Sequence, residues 1–265
     1  MGGVFLRRPR TCIVPPIPAA CYSMPTETLF ISDLHLSASR PETTRRFLTF
    51  LDTRANAAER LYILGDLFDA YIGDDDNASP NREVKFALKR LVESGTLVYF
   101  QHGNRDFLVG EGFSRDTGAS LLGDFAIIDL YGVPAIVTHG DLLCTDDVQY
   151  QAARIRVRSS EWKQNALSKP LFLRQWYARW YRFKSGLDKG KKTTEIMDAN
   201  PQAVIDTLRD HGISILIHGH THRPAVHELT VDGKPAHRFV LAEWKSKGQA
   251  LNWNSNGQWF IEEIN

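Results

Sequence analysis

Five short apolar runs in this chain each end on residues of metal-binding type, and their order constrains the fold more than any other feature. They carry Asp33 and His35 in LFISDLHL, Asp66 in LYILGDLFD, and Asn104-Arg105-Asp106 in VYFQHGNRD. They continue with His139-Gly140-Asp141 in AIVTHGD and with His218, His220 and His222 in ILIHGHTH. Short apolar runs between turn signals suit strands buried on both faces. A sheet of such strands delivers residues from distant sequence positions to one edge.

The runs alternate with helical spacing. Strands are predicted over Leu29–Ile31, Leu61–Leu64, Leu97–Phe100 and Ile213–Ile217, with a hairpin of Ile127–Leu130 and Ala135–Thr138 around Gly132. Helices are predicted over Thr43–Ala57, over Asn81–Glu93 with Ser94-Gly95 as its stop, and over Ala203–Asp210 with Gly212 as its stop. Further hairpins surround Asp232-Gly233 and Asn256-Gly257. The result is a layered α/β fold with a mixed sheet.

Charge is unevenly spread. Tyr150 to Lys192 holds 12 Lys/Arg against Glu161 and Asp188, leaving 20 cations and 29 acids elsewhere. Such a segment seeks anionic partners. Within it Phe172, Trp176, Trp180 and Phe183 fall inside an arc of about 80° on a helix. We read 148–196 as a helical lid inserted into one domain spanning 24–265. The aromatic stripe either packs on the core or faces an amphiphile. Being gathered on one face, it suits a membrane edge better than the stacking groove of a nucleic-acid binder.

Residues 1–23 hold Arg7, Arg8, Arg10 and four prolines without an apolar repeat. They are expected to be a disordered arm, or to lie upstream of a native start at Met24. Cys12, Cys21 and Cys144 are odd in number and form no C-x-x-C pair, so a reducing cytoplasm is the expected compartment.

Carboxylates, an amide oxygen and imidazoles together suit borderline divalent ions such as Mn²⁺, Fe²⁺ or Zn²⁺. The blocks supply Asp33, His35, Asp66, Asn104, His139, His220 and His222, enough for two ions if Asp66 bridges them. Any one of these alone would be an ordinary turn or structural residue; five blocks in order, each after a strand, would not. Asp141 is expected to orient a ligand histidine. Cys144 as a nucleophile activated by His139 is a weaker reading. Asp74-Asp75-Asp76 is either a third cation site, a helix-capping turn, or a brace for the lid.

The ordered set D-x-H, G-D, G-N, H-G and G-H-x-H resembles the calcineurin-like metallophosphoesterases. The finer words SDLHL, YILGDLFDAYIGDDD, HGNRDFLVG, HGDLLCTDD and HGHTHRPAVHEL resemble the branch that hydrolyses UDP-2,3-diacylglucosamine in lipid A biosynthesis. That resemblance covers about residues 28–245 and implies an αββα-type sandwich with a lid capping the active site. It implies two ions, most simply Mn²⁺, one with Asp33, His35, Asp66 and His222, the other with Asp66, Asn104, His139 and His220. It also implies substrate contacts at Asn104, Arg105, Asp147, Ser185, Lys192 and His220. Lys189 stands where relatives carry Asn, so its role is the open one. The catalytic set is Asp66, Asn104, Arg105 and His220. The implied location is the cytoplasmic face of the inner membrane, as a peripheral protein. The implied partner is the UDP-linked acylated glucosamine substrate, with no nucleic acid and no obligate protein partner.

Arg105 bears on the leaving group. Arginine is a phosphate clamp and no practical acid near neutral pH. A pyrophosphate attacked at the uridine-side phosphorus expels a sugar phosphate that needs no proton, whereas an alkoxide would need one. The alternative is that His102 or His218 supplies a proton while Arg105 pairs with Asp106. Rival functions are a nuclease or phosphatase of the same fold, and a scaffold binding lipid or protein through the basic lid.

Overall fold

Apolar runs become strands wherever both their faces can be covered, and here they are covered by two different layers. In the computed structural model residues 26–189 and 198–265 are described, with side chains for all of these except 181–189. Eleven strands are found among them: β1 (Glu27–Ile31), β2 (Arg60–Leu64), β3 (Leu97–Gln101), β4 (Ser120–Leu122), β5 (Phe125–Leu130), β6 (Val133–Thr138), β7 (Ile215–His218), β8 (Ala225–Val231), β9 (Lys234–Val240), β10 (Gly248–Asn254) and β11 (Trp259–Ile264). The helices are α1 (Pro41–Thr53), α2 (Asn81–Glu93), α3 (Glu111–Thr117), α4 (Val148–Arg158), α5 (Ser160–Leu167), α6 (Leu171–Lys189) and α7 (Pro201–His211).

The strands form two mixed sheets, ordered β11-β10-β1-β2-β3-β4 and β5-β6-β7-β9-β8. Strands β1 to β4 run parallel, as do β6, β7 and β9. Alternation along each strand explains the layers. Leu29, Ile31, Leu61 and Ile63 pack with Phe47, Phe50, Leu88 and Phe113 of α1–α3. Their neighbours Phe30, Tyr62 and Leu64 face Val137, Ile217 and Phe239 of the other sheet. Ile136 and Leu216 turn outward onto Val204 and Leu208 of α7. Helices, sheet, sheet and helix therefore stack as the αββα sandwich that the resemblance implied.

Helix α2 begins and ends where its sequence predicts. Helix α1 stops at Thr53 rather than Ala57, with a 3₁₀ turn over Ala55–Ala57. Asn200 caps α7 by accepting from the Gln202 and Ala203 N–H groups, which sets its start two residues earlier than Ala203. The described part of the basic segment folds as α4, α5 and α6. No helix among the described residues is long and apolar enough to cross a membrane.

Candidate metal centre

Each ligand block leaves the carboxyl end of a parallel strand. Asp33 and His35 follow β1, Asp66 follows β2, Asn104 follows β3, His139 follows β6, and His220 and His222 follow β7. The blocks are laced together by their backbones. Asp33 N–H donates to Gly65 O (3.1 Å), His35 N–H to Asp66 O (2.9 Å) and Gly219 N–H to His139 O (2.9 Å). Asp33, His35, Asp66, His220 and His222 all have positive φ, between 50° and 70°. Left-handed backbone is uncommon outside glycine, and five instances in one cluster mark a constrained site.

The loops approach closely because glycine lines them. A Cβ on Gly103 would stand 2.1 Å from Asp66 Oδ1, and one on Gly219 2.2 Å from Asp33 Oδ2. Only glycine lets these backbones pass.

The donors named from the sequence lie close to one another. Ring nitrogens His139 Nε2 and His220 Nδ1 lie 3.1 Å apart, and His35 Nε2 and His222 Nε2 lie 3.4 Å apart. Asn104 Oδ1 is 3.2 Å from His139 Nε2. Asp66 presents one oxygen to each side, with Oδ2 3.8 Å from His35 Nδ1 and Oδ1 3.9 Å from His139 Nε2. Asp33 Oδ1 is 3.1 Å from His222 Nε2, while Oδ2 accepts from Ser32 Oγ (2.6 Å) and the His220 N–H (2.8 Å). Two compact donor groups result, Asp33 with His35 and His222, and Asp33 with Asp66 and His139. Both contain Asp33, but Asp66 is the carboxylate whose oxygens diverge toward both sides. Burial pushes the Asp66 carboxyl up to about 6, and the Asp33 carboxylate adds to the rise. Two buried carboxylates facing converging imidazole nitrogens fit divalent cations.

Sequence reasoning missed several supporting residues. Asp106 is fully buried and accepts from the Leu67 N–H (2.8 Å) and the Gly103 N–H (2.8 Å), tying the second block to the third. Glu243, beyond β9, sits 2.9 Å from His222 Nδ1. Neither stands in a ligand position of a motif, so only tertiary contact reveals them.

Other expectations change. Asp141 is paired with the lid: it accepts from Tyr150 Oη (2.6 Å) and Arg154 Nε (2.7 Å) of α4. Burial acts to raise its carboxyl, but His139, His220, Arg154 and Arg158 hold it well below the carboxylate range. His218 cannot serve as an acid. Burial and Arg238 lower it to about 3, its Nδ1 donates to Gly219 O (2.8 Å), and its Nε2 accepts from Arg238 (2.9 Å). His102 donates to Val109 O (2.7 Å), and Asp106 is taken by backbone N–H groups rather than by the Arg105 side chain. Burial raises the Cys144 thiol to about 12, which removes it as a nucleophile.

The lid's cations are partly used at home. Arg154 pairs with Asp124 and Asp141, Arg158 donates to Gly103 O (2.9 Å), and Arg174 pairs with Asp75. The Asp74-Asp75-Asp76 turn is thus a brace for the lid through Asp75. Asp74 accepts from Tyr71 and the Gly110 N–H, and Asp76 from Ala78 and Asn81. Phe107 of the third loop lies over Trp162 of α5 at 5.8 Å. The described members of the aromatic stripe are exposed: Phe172, Trp176 and Trp180 by 67%, 58% and 51%. Asp147 caps α4 by accepting from the Tyr150 N–H (3.1 Å). Phe183, Ser185 and Lys189 lie on α6 beyond the described side chains, and Lys192 falls outside the described residues.

The calcineurin-like phosphoesterase family matches residues 26–224. The UDP-2,3-diacylglucosamine hydrolase of Marinobacter nauticus is 50% identical over 82% of this chain and 89% of its own length. Its counterpart from an Enterobacter species is 47% identical over 89% of this chain and 98% of its own. That of Pseudomonas aeruginosa is 47% identical over 86% and 95%. With fold, ordered motifs and relatives in agreement, this chain belongs to the calcineurin-like phosphoesterase family and, within it, to the UDP-2,3-diacylglucosamine hydrolases.

Proposed function

We propose that the chain hydrolyses the pyrophosphate bond of UDP-2,3-diacylglucosamine, giving UMP and 2,3-diacylglucosamine 1-phosphate. The observation that carries this reading is the seat of Arg105. Its N–H donates to Asp66 Oδ1 (2.8 Å), the oxygen of the shared carboxylate that faces His139. A guanidinium rooted there can grip phosphate oxygens but gives up no proton near neutral pH. With His102 and His218 committed to backbone carbonyls, the reaction best suited to the site expels a group needing no proton. A sugar 1-phosphate is such a group.

Asp33, His35, Asp66 and His222 would hold one divalent cation and Asp66, Asn104, His139 and His220 the other, Mn²⁺ in our reading; bound there, such ions supply positive charge for phosphoryl oxygens and activate a water at neutral pH. Asn104 and His220 also reach toward the substrate. Asp147, Ser185, Lys189 and Lys192 contact its phosphates and sugar from the lid. The exposed aromatic face of α6 lies against acyl chains and the edge of the inner membrane on its cytoplasmic side, with the basic excess of the segment favouring anionic lipid.

The test is hydrolysis of UDP-2,3-diacylglucosamine in ¹⁸O water, with Mn²⁺ restored after chelation. Label is expected in UMP. Label in the sugar phosphate would overturn the direction of attack, and release of inorganic phosphate would favour a phosphatase. A second expectation concerns α6. Trp176→Ala with Trp180→Ala should raise KM for the acylated substrate about tenfold, from the loss of some 1–2 kcal/mol of apolar contact. A short water-soluble pyrophosphate should respond far less, and equal effects on both substrates would refute the acyl-chain role.

A further inference from the structure

We propose that Glu243 is a positioning residue that fixes the ring of His222 and so sets how tightly that side of the centre holds a divalent cation. The inference rests on the metal reading of the site given above. A neutral imidazole has one donor and one acceptor nitrogen, and the partner of one decides the role of the other. Glu243 Oε2 lies 2.9 Å from His222 Nδ1. Its carboxylate accepts a hydrogen bond from Nδ1–H, which fixes the proton there and leaves the Nε2 lone pair for a cation. Nε2 is the nitrogen that faces the other donors, 3.1 Å from Asp33 Oδ1 and 3.4 Å from His35 Nε2.

The carboxylate is itself held. Lys245 Nζ lies 3.0 Å from the same Oε2, and Arg40 Nη2 lies 3.5 Å from Oε1. The segment carrying it is pinned on both sides of the chain. Trp244 N–H donates to Asp33 O (3.1 Å), and the Trp244 ring is fully buried, edge-on to Phe50 at 5.6 Å. Glu243 therefore approaches His222 from a fixed loop that also touches the backbone of the neighbouring ligand. His139 offers the contrast. Its Nδ1 is oriented by the Leu64 carbonyl (2.9 Å), a partner no side-chain substitution removes. Of these two ring orientations, only that of His222 depends on a replaceable and charged group. Removing such an outer partner typically weakens metal affinity by about 10–100-fold.

The experiment titrates Mn²⁺ into chelator-stripped full-length protein, reading free Mn²⁺ by electron paramagnetic resonance, for wild type, Glu243→Gln and Glu243→Ala. Wild type should bind two ions. Glu243→Gln keeps an acceptor for Nδ1–H but loses the charge, and should weaken one of the two ions about fivefold. Glu243→Ala should weaken the same ion by about 10–100-fold, the other remaining as in wild type. Glutamine keeps the volume of the side chain, so it decides the matter if the alanine variant fails to fold. A Glu243→Gln affinity within twofold of wild type would overturn the role of Glu243 alone. A wild-type protein that binds no ion would overturn the metal reading with it.

Discussion

Asp66→Ala will lower hydrolysis of UDP-2,3-diacylglucosamine by at least about 10³-fold, the scale on which one essential electrostatic partner counts. Asp66 is the carboxylate whose oxygens face His35 on one side and His139 on the other, so its loss damages both halves of the centre. The variant should still fold. Burial works against the charged form of Asp66, so removing it relieves a desolvation cost while taking the acceptor of the Arg105 N–H away. Circular dichroism should therefore match wild type while Mn²⁺ stoichiometry falls below two. Retention of more than a tenth of the turnover would contradict the shared-carboxylate role. Full loss of turnover in a folded protein would discard the scaffold reading.

Gly103→Ala should be the most damaging replacement of a residue that contributes no side chain. Its Cβ would meet Asp66 Oδ1 at 2.1 Å and the Asp66 backbone nitrogen at 2.3 Å. A flexible side chain could move aside; the backbone nitrogen cannot without parting the second and third loops. We expect about 3 kcal/mol of lost stability, the upper range for overpacking, and a fall in Tm of about 6–12 °C. Gly123→Ala is the control, because its Cβ would meet only Phe125 O at an ordinary 3.6 Å. It should change stability by less than about 0.5 kcal/mol. A Gly103→Ala protein with wild-type Tm and turnover would show that the loops do not pass as closely as described.

These two residues were legible in the sequence because each sits in a short word beside a strand. The strands themselves were legible because both their faces are buried, which makes the apolar runs continuous. The same continuity hides what lies on each face, so Leu29 and Phe30 look alike although one meets helices and the other meets a second sheet. Helix α3 escaped notice because it is seven residues long and buries only Phe113 and Thr117. Strand β4 has three residues and no fully buried position. Glu243 and Asp106 were illegible as supporting residues, since their meaning lies in what they touch across the fold. The lid's charge was legible as an excess, but not its division. Asp124, Asp141 and Asp75 neutralise Arg154, Arg158 and Arg174, pairings that run across the fold and that spacing along the chain does not show.

The strand order has a consequence for the birth of the molecule. β1 lies between β2 and β10, so the strand that carries Asp33 and His35 gains one of its two neighbours only when residues 248–254 have been made. β7, which carries His220 and His222, likewise waits for β9. A chain whose first 150 residues have emerged carries Asp33, His35, Asp66 and Asn104 at the strand ends of one sheet and His139 at the end of β6 in the other, both sheets with open edges. Any cation met at that stage finds an incomplete cage. The full donor set therefore comes together only once β7, β9 and β10 are in place, and its left-handed loops take their shape from the finished fold.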